Sequence, residues 1–410
     1  MVLAAVLAPV MFYRVSAVDV APPEALPLGG YTDRQGAAFI PGGDRLWSRC
    51  LVLEQGGART AIVSFEALTV PEGLVEAVRS RIPRGLSLVL TATHTHSAPD
   101  SQMLNPRMTM TIPGVASYQP RWLAWYADKI ASGVRQALAA EPKLVGEARM
   151  AVFRPGLNHG RRLGAKPDPR AVVFRADGRP LFCWYTAHAT ILDADHRALS
   201  GDWPGRVAAE VGCPVFVGAI GDAAPALMGS SGEARLSTFA RRFMAGASKA
   251  MGRRLDLDGG LAVHSEAVSL GPPSPHPGFA AAYQLPQPLA EALVRRFAPA
   301  GASLTLVQIG RLLLIGFPGE PSSALGRRLE SMALRRGYDW ALVVGHANGW
   351  VGYALEAEDY DRGGYEATLC FHGRDAGERF VEALDRGLVA LNPGRRRGHG
   401  SATVCSSGRR

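Results

Sequence analysis

The chain is poor in cysteine: Cys50, Cys183, Cys213, Cys370 and Cys405 are the five in 410 residues, and no Cys-x-x-Cys occurs. Scattered and odd in number, they exclude a disulfide framework and a thiolate zinc site. No apolar run is long enough to cross a bilayer. Met1 to Phe12 is apolar but short and carries no Lys or Arg before Arg14, so it reads as a degenerate secretion signal or an extension packed ahead of the first strand. Stable membrane insertion is not expected, and the compartment stays open with a lean toward the cytoplasm. A Gly-x-Ser-x-Gly elbow is also missing, which removes the usual serine-hydrolase reading.

Nucleic acid is excluded on charge. The formal charge is +9, but Arg395, Arg396, Arg397, Arg409 and Arg410 contribute five of those charges, leaving +4 on residues 1–394. The remainder is dispersed, with no basic run interleaved with aromatics. Residues 393–410 read as a disordered basic tail, 1–12 as an apolar extension, and 13–392 as the folded body. With 47% apolar residues that body can bury a large core, as one domain or two intimate ones.

Tyr13 to Val20 alternates until Pro22-Pro23, and Arg49 to Leu53 and Ala61 to Phe65 read as strands of a hairpin turned at Gly56-Gly57. Further strands are expected at 170–174, 181–185, 215–217, 304–308, 312–315 and 341–344. Helical spacing covers 72–82 and, through Trp122, Leu123, Tyr126, Ile130 and Val134, residues 120–140. Helices are also expected at 203–211, 235–251, 322–336 and 377–391. The fold class is therefore α/β, with mixed β-sheets flanked by helices. No internal repeat is visible, and Gly271 to Pro277 is the candidate connector between two subregions.

Polar residues stand just past the ends of apolar strands, where α/β proteins place their chemistry. Thr93-His94-Thr95-His96-Ser97 follows such a run, and in extended chain His94 and His96 face one way. They suit two metal ligands, one ligand with a proton-transfer group, or a satisfied loop pair. His188 ends another strand, with Asp193, Asp195, His196 and Asp202 nearby. Glu320, after Pro318-Gly319, is expected at a helix amino terminus with Pro321 in its first turn. The loop from Asn348 through Tyr353 and Tyr360 to Tyr365-Glu366 should turn at least one hydroxyl into a pocket. Met103 to Ile112 reads as a packed loop or as a lid for an acyl chain.

Together these motifs resemble the neutral, alkaline-active (non-lysosomal) ceramidase family over most of residues 13–392. They occur in family order: Ala21-Pro22-Pro23 with Leu28-Gly29-Gly30-Tyr31, Thr93 to Ser97, Ala187-His188-Ala189-Thr190, Gly221-Asp222-Ala223-Ala224-Pro225, Gly319-Glu320-Pro321, and Tyr353 to Tyr365. The resemblance implies a ceramidase-like catalytic domain with one zinc ion per chain, held by His94, His188, Glu320 and Tyr353. It implies that His96 touches the attacking water or the substrate oxygen, and that Tyr365 polarises the carbonyl. Arg161 or Arg162 would orient the substrate.

Two departures bear on substrate. His96-Ser97-Ala98-Pro99-Asp100 replaces the family's His-Ser-Gly-Pro-Gly, and Ala224 stands where family members carry a serine once proposed as nucleophile. The chain also stops where those ceramidases continue into a carboxy-terminal sandwich domain, so the expectation is the catalytic region without it. The implied activity is zinc-dependent hydrolysis of a small-molecule or lipid-like N-acyl amide by activated water, in lipid and specifically sphingolipid metabolism. Oligomeric state is open. The alternatives are another metal hydrolase of ester or phosphoester bonds, with a two-metal site built from His188, Asp193, Asp195, His196 and Asp202 plus the pair His94 and His96, or a binding protein that kept the fold.

Overall fold

The computed structural model describes residues 10–391. The basic tail, Cys405 and most of the amino-terminal extension lie outside the described residues.

Strands that are apolar on both faces need cover on both sides. Trp47–Gln55 and Ala58–Phe65 are buried along nearly their whole length and form the expected hairpin, Gln55 pairing with Ala58. They belong to a five-stranded sheet ordered Ser87–Ala92, Ala58–Phe65, Trp47–Gln55, Phe12–Asp19 and Lys143–Leu144. A second five-stranded sheet runs Val215–Val217, Arg179–Tyr185, Ala171–Ala176, Ala148–Phe153 and Gly252–Arg254. A four-stranded sheet runs Leu261–Ser269, Gly301–Ile309, Leu312–Gly316 and Trp340–Val344.

Each sheet contains the same unit, an antiparallel hairpin, a helix, and a third strand parallel to the hairpin's second. The helices are Glu72–Arg79, Asp202–Val211 and Ser323–Arg335, and the parallel strands are Ser87–Ala92, Val215–Val217 and Trp340–Val344. The repeat is structural only; one apolar pattern satisfies the unit three times without shared sequence. One face of every sheet contributes to a common core that includes Leu53, Ile62, Phe174, Trp184, Leu314 and Leu342. Helices cover the other faces. Pro120–Ala139 buries the predicted stripe of Trp122, Tyr126, Ile130 and Val134 over the first sheet, Gly232–Lys249 covers the second, and Ala376–Leu391 the third.

The three parallel strands meet at one end. The Thr91 hydroxyl donates to the Gly345 carbonyl (2.9 Å), the Gly345 amide to Val217 (2.9 Å), and the Ala92 amide to His346 (3.2 Å). Asn348 ties the junction, its amide nitrogen donating to the Leu88 carbonyl and the Thr305 hydroxyl while its oxygen accepts from the Leu90 amide.

Two sequence expectations fail here. Gly271 to Pro277 does not join subregions: it leads into Pro277–Ala282 and Gln287–Phe297, an excursion between Leu261–Ser269 and Gly301–Ile309, which are adjacent strands of one sheet. Glu320 is not in the first turn of a helix. It pairs with Tyr353 in a short parallel ladder, and Ser322 is the N-cap of the helix that starts at Ser323, accepting from the Leu325 amide. Met103 to Ile112 is packed: Met103 and Leu104 are buried against the first sheet's helices, and Met108 sits with Phe279, Val294 and Phe371.

Candidate metal centre

The convergence of strand ends from all three sheets brings His94, His188 and Glu320 together. Each offers one ligand atom, and these atoms lie within 4.8 Å of one another in a buried setting. His94 lies just past Ser87–Ala92 with φ of 64°, a left-handed conformation unfavourable for a residue with a Cβ, costing roughly 1–3 kcal/mol. The surrounding backbone holds it there, the Thr93 amide donating to Phe65 (2.9 Å) and the Ala92 amide to His346.

The tautomers follow from the hydrogen bonds. Nδ1 of His94 lies 2.8 Å from the Leu68 carbonyl and Nδ1 of His188 lies 3.0 Å from the Ala223 carbonyl. Both Nδ1 atoms therefore carry hydrogen, and both Nε2 lone pairs face inward. They point at Oε2 of Glu320, 3.6 Å from His94 and 3.2 Å from His188. Burial lowers the pKa of both imidazoles, that of His188 to about 4. Glu320 Oε2 is buried without a hydrogen-bond partner. Two imidazole lone pairs and an unpartnered carboxylate oxygen repel one another unless a cation or a proton lies among them. The donor set fits a divalent metal ion.

Around this group the remaining predicted residues fall into place unequally. His96 lies beside it, Nε2 at 3.3 Å from Nε2 of His94, with its ring against Tyr31. Tyr353, in register with Glu320, has a buried hydroxyl that accepts from Arg161 Nη2 at 2.8 Å. Burial, and then the nearby Glu320 charge, push that phenol well above its usual pKa. Arg161 and Arg162 separate cleanly. Arg161 also donates to the Gly221 carbonyl (2.7 Å) and to Glu366 (2.8 Å), whereas Arg162 turns to the carbonyls of Asp359 and Gly363. Arg161 is thus the arginine that reaches the centre. Tyr365, 59% exposed, stands at its mouth with its ring centre 6.0 Å from that of Tyr353.

The Gly221 to Pro225 motif is scaffold. The Ala223 carbonyl accepts from both Nδ1 and the backbone amide of His188, and Asp222 accepts from the Ser323 amide at 2.8 Å. Among the described residues, His94, His188 and Glu320 form the one group of three such side chains close enough to hold an ion. The acidic cluster does something else. Asp202 accepts from the amides of Ile191, Leu192 and Trp203, closing its own loop, while the backbone carbonyls of Asp193 and His196 bind Arg34.

Sequence reasoning missed His346, Arg34 and Trp350. His346 is fully buried at φ 52°, stacks on His94 at 4.1 Å and 18°, and has no hydrogen-bond partner on either ring nitrogen. The strand-end rule that located His94 would have found it, since it follows Trp340–Val344. Trp350 donates to Glu320 Oε1 at 3.4 Å.

No family model matches the chain. Over 72 residues it is 44% identical to the neutral ceramidase of Mycobacterium tuberculosis, a stretch covering 17% of this chain and 11% of that relative. The crystal structure of neutral ceramidase from Pseudomonas aeruginosa superposes with a TM-score of 0.78 at 18% identity, over 94% of this chain and 75% of the other. A ceramidase complexed with C2 gives 0.77 at 17% identity, over 97% and 78%. The chain has the neutral ceramidase fold. Within this ceramidase fold the mixed sheets and flanking helices are those expected from the sequence, and the convergence of their strand ends is what makes the candidate centre.

Proposed function

We propose that this chain is a zinc-dependent hydrolase of N-acyl amides, ceramide-like or smaller. The observation that carries the reading is the convergence of two inward Nε2 lone pairs and an unpartnered Glu320 oxygen with no donor among them. His94, His188 and Glu320 would hold the ion, with Tyr353 as a fourth oxygen donor beside Glu320. When bound, zinc supplies an activated water and a Lewis acid for the carbonyl.

The protein groups do the rest. The water oxygen bonds to the carbonyl carbon as the C–N bond breaks, and one proton of water reaches the departing nitrogen through His96, giving a carboxylic acid, which then releases its remaining proton to solvent, and an amine. Arg161 and Tyr365 hold the negative charge that grows on the carbonyl oxygen, Arg161 being fixed for this by Glu366 and Gly221. Protein purified without chelators is expected to carry about one zinc per chain and to release fatty acid from N-acyl amides, with activity lost to chelation and restored by zinc. Protein with no metal after that purification overturns the reading.

Gly30 gives a test of the His96 role. At φ 88° it backs the imidazole so closely that a Cβ would sit 2.3 Å from Nδ1. Gly30→Ala therefore displaces the ring while leaving the three metal donors alone. Turnover is expected to fall about 100-fold with zinc content unchanged, measured by steady-state kinetics alongside elemental analysis. Undiminished turnover would remove His96 from the mechanism.

A further inference from the structure

His346 sits beside the centre with no hydrogen bond to account for it: its exposure is 0%, and neither ring nitrogen has a partner. Buried nitrogens without partners cost stability, and so does a left-handed backbone, here at φ 52°, in a residue that carries a Cβ. The backbone around it is nevertheless fixed. The His346 amide donates to the Gly319 carbonyl (3.1 Å) and its carbonyl accepts from the Ala92 amide (3.2 Å), while the flanking amides of Gly345 and Ala347 donate to Val217 (2.9 Å) and Phe317 (2.8 Å). Strand ends of all three sheets thereby place this one ring.

What the ring touches is His94. The two lie face to face, with centroids 4.1 Å apart and planes 18° apart, whereas His96 and His188 meet His94 at 86° and 75°. The hydrogen bond from Nδ1 to Leu68 holds one atom of the His94 ring and leaves its tilt open, yet the Nε2 lone pair lies in the ring plane and has to aim at the ion. A flat neighbour across one face sets that tilt. It also favours the loaded state, because an imidazole bound to a cation carries part of its charge and is attracted by the π face of an uncharged ring. Burial keeps His346 uncharged. We infer that His346 is a positioning residue of the metal centre, holding the His94 ring in its binding plane through the face of its own ring and through neither nitrogen. This deepens the metal reading above and rests on it.

The test pairs His346→Asn with His346→Phe in the full-length protein and reads zinc affinity by competition with a chelating dye. Asn suits a left-handed backbone and keeps polar atoms but has no ring, and Phe keeps a flat face but has no nitrogen. The Asn variant is expected to bind zinc about tenfold or more weakly than the wild type, and the Phe variant within about threefold of it. Melting in excess chelator reports the fold apart from the ion. Wild-type affinity in the Asn variant, or equal weakening in both, overturns the inference. Where one variant does not fold the other decides, a folded Asn variant at tenfold weaker affinity or a folded Phe variant at wild-type affinity sustaining it and the opposite result ending it; failure of both to fold marks a structural residue and ends it too. Wild type that binds no zinc ends the metal reading and this inference with it, whereas wild type that binds zinc leaves the variants to judge His346 alone.

Discussion

His188→Ala is expected to empty the metal centre: zinc falls from about one per chain to less than about a tenth, and amide turnover drops by at least about 1,000-fold. The ring leaves behind His94, Glu320 and the Tyr353 hydroxyl, a phenol that burial keeps protonated and so a weak donor, and takes away one of the two inward imidazole lone pairs. The substitution is gentle on the fold, because the Ala223 carbonyl keeps the backbone amide of His188 as a donor at 3.0 Å. A third readout separates metal loss from misfolding. Zinc added at about 100 times its dissociation constant stabilises a binding protein by about 2.7 kcal/mol, so the wild type should melt higher with zinc than with chelator, and the variant should melt at one temperature in both. A His188→Ala protein that retains about one zinc and a zinc-dependent melting shift would mean that the ion is held elsewhere.

How much of this was legible beforehand depends on what each residue uses as its signal. His94, His188 and Glu320 stand where a continuous apolar run stops, and the run is visible because the strands are buried on both faces. His346 obeys the same rule, standing two residues past Trp340–Val344. Arg161 and Arg162 could not be told apart because neighbours in extended chain point to opposite sides, and sequence does not fix the phase of the short strand Asn158–Gly160. The acidic cluster misled for a different reason: the partners of Asp202 are backbone amides up to 11 residues away, and a loop that folds back on its own carboxylate has no period. The threefold unit was hidden because burial, not residue identity, is what repeats.

Arg34 had no sequence signal at all, and its removal should be among the most costly single changes in the chain. It is 5% exposed, and Nε, Nη1 and Nη2 donate to five backbone carbonyls: Ala194 at 3.0 Å, Gly29 at 3.2 Å, Asp193 at 3.1 Å, His196 at 2.8 Å, and His96. A guanidinium has five hydrogens to give, and every one is used. Three loops that are far apart in sequence, around Gly29, His96 and Asp193 to His196, are thereby gathered on one cation. Arg34→Met keeps most of the volume and strands those carbonyls, at an expected cost of about 3–5 kcal/mol in urea unfolding, read as a lower midpoint at unchanged slope. Arg34→Lys should recover little of this, because an ammonium has three hydrogens and cannot span the five acceptors. The same variants test the proton-carrying role proposed for His96 apart from the metal-holding role proposed for His94, His188 and Glu320. Arg34 touches the backbone of His96 but none of His94, His188 or Glu320, so folded Arg34→Met should keep its zinc while losing turnover. An unchanged midpoint would show that water replaces the guanidinium without loss, and that the loops carry their own order.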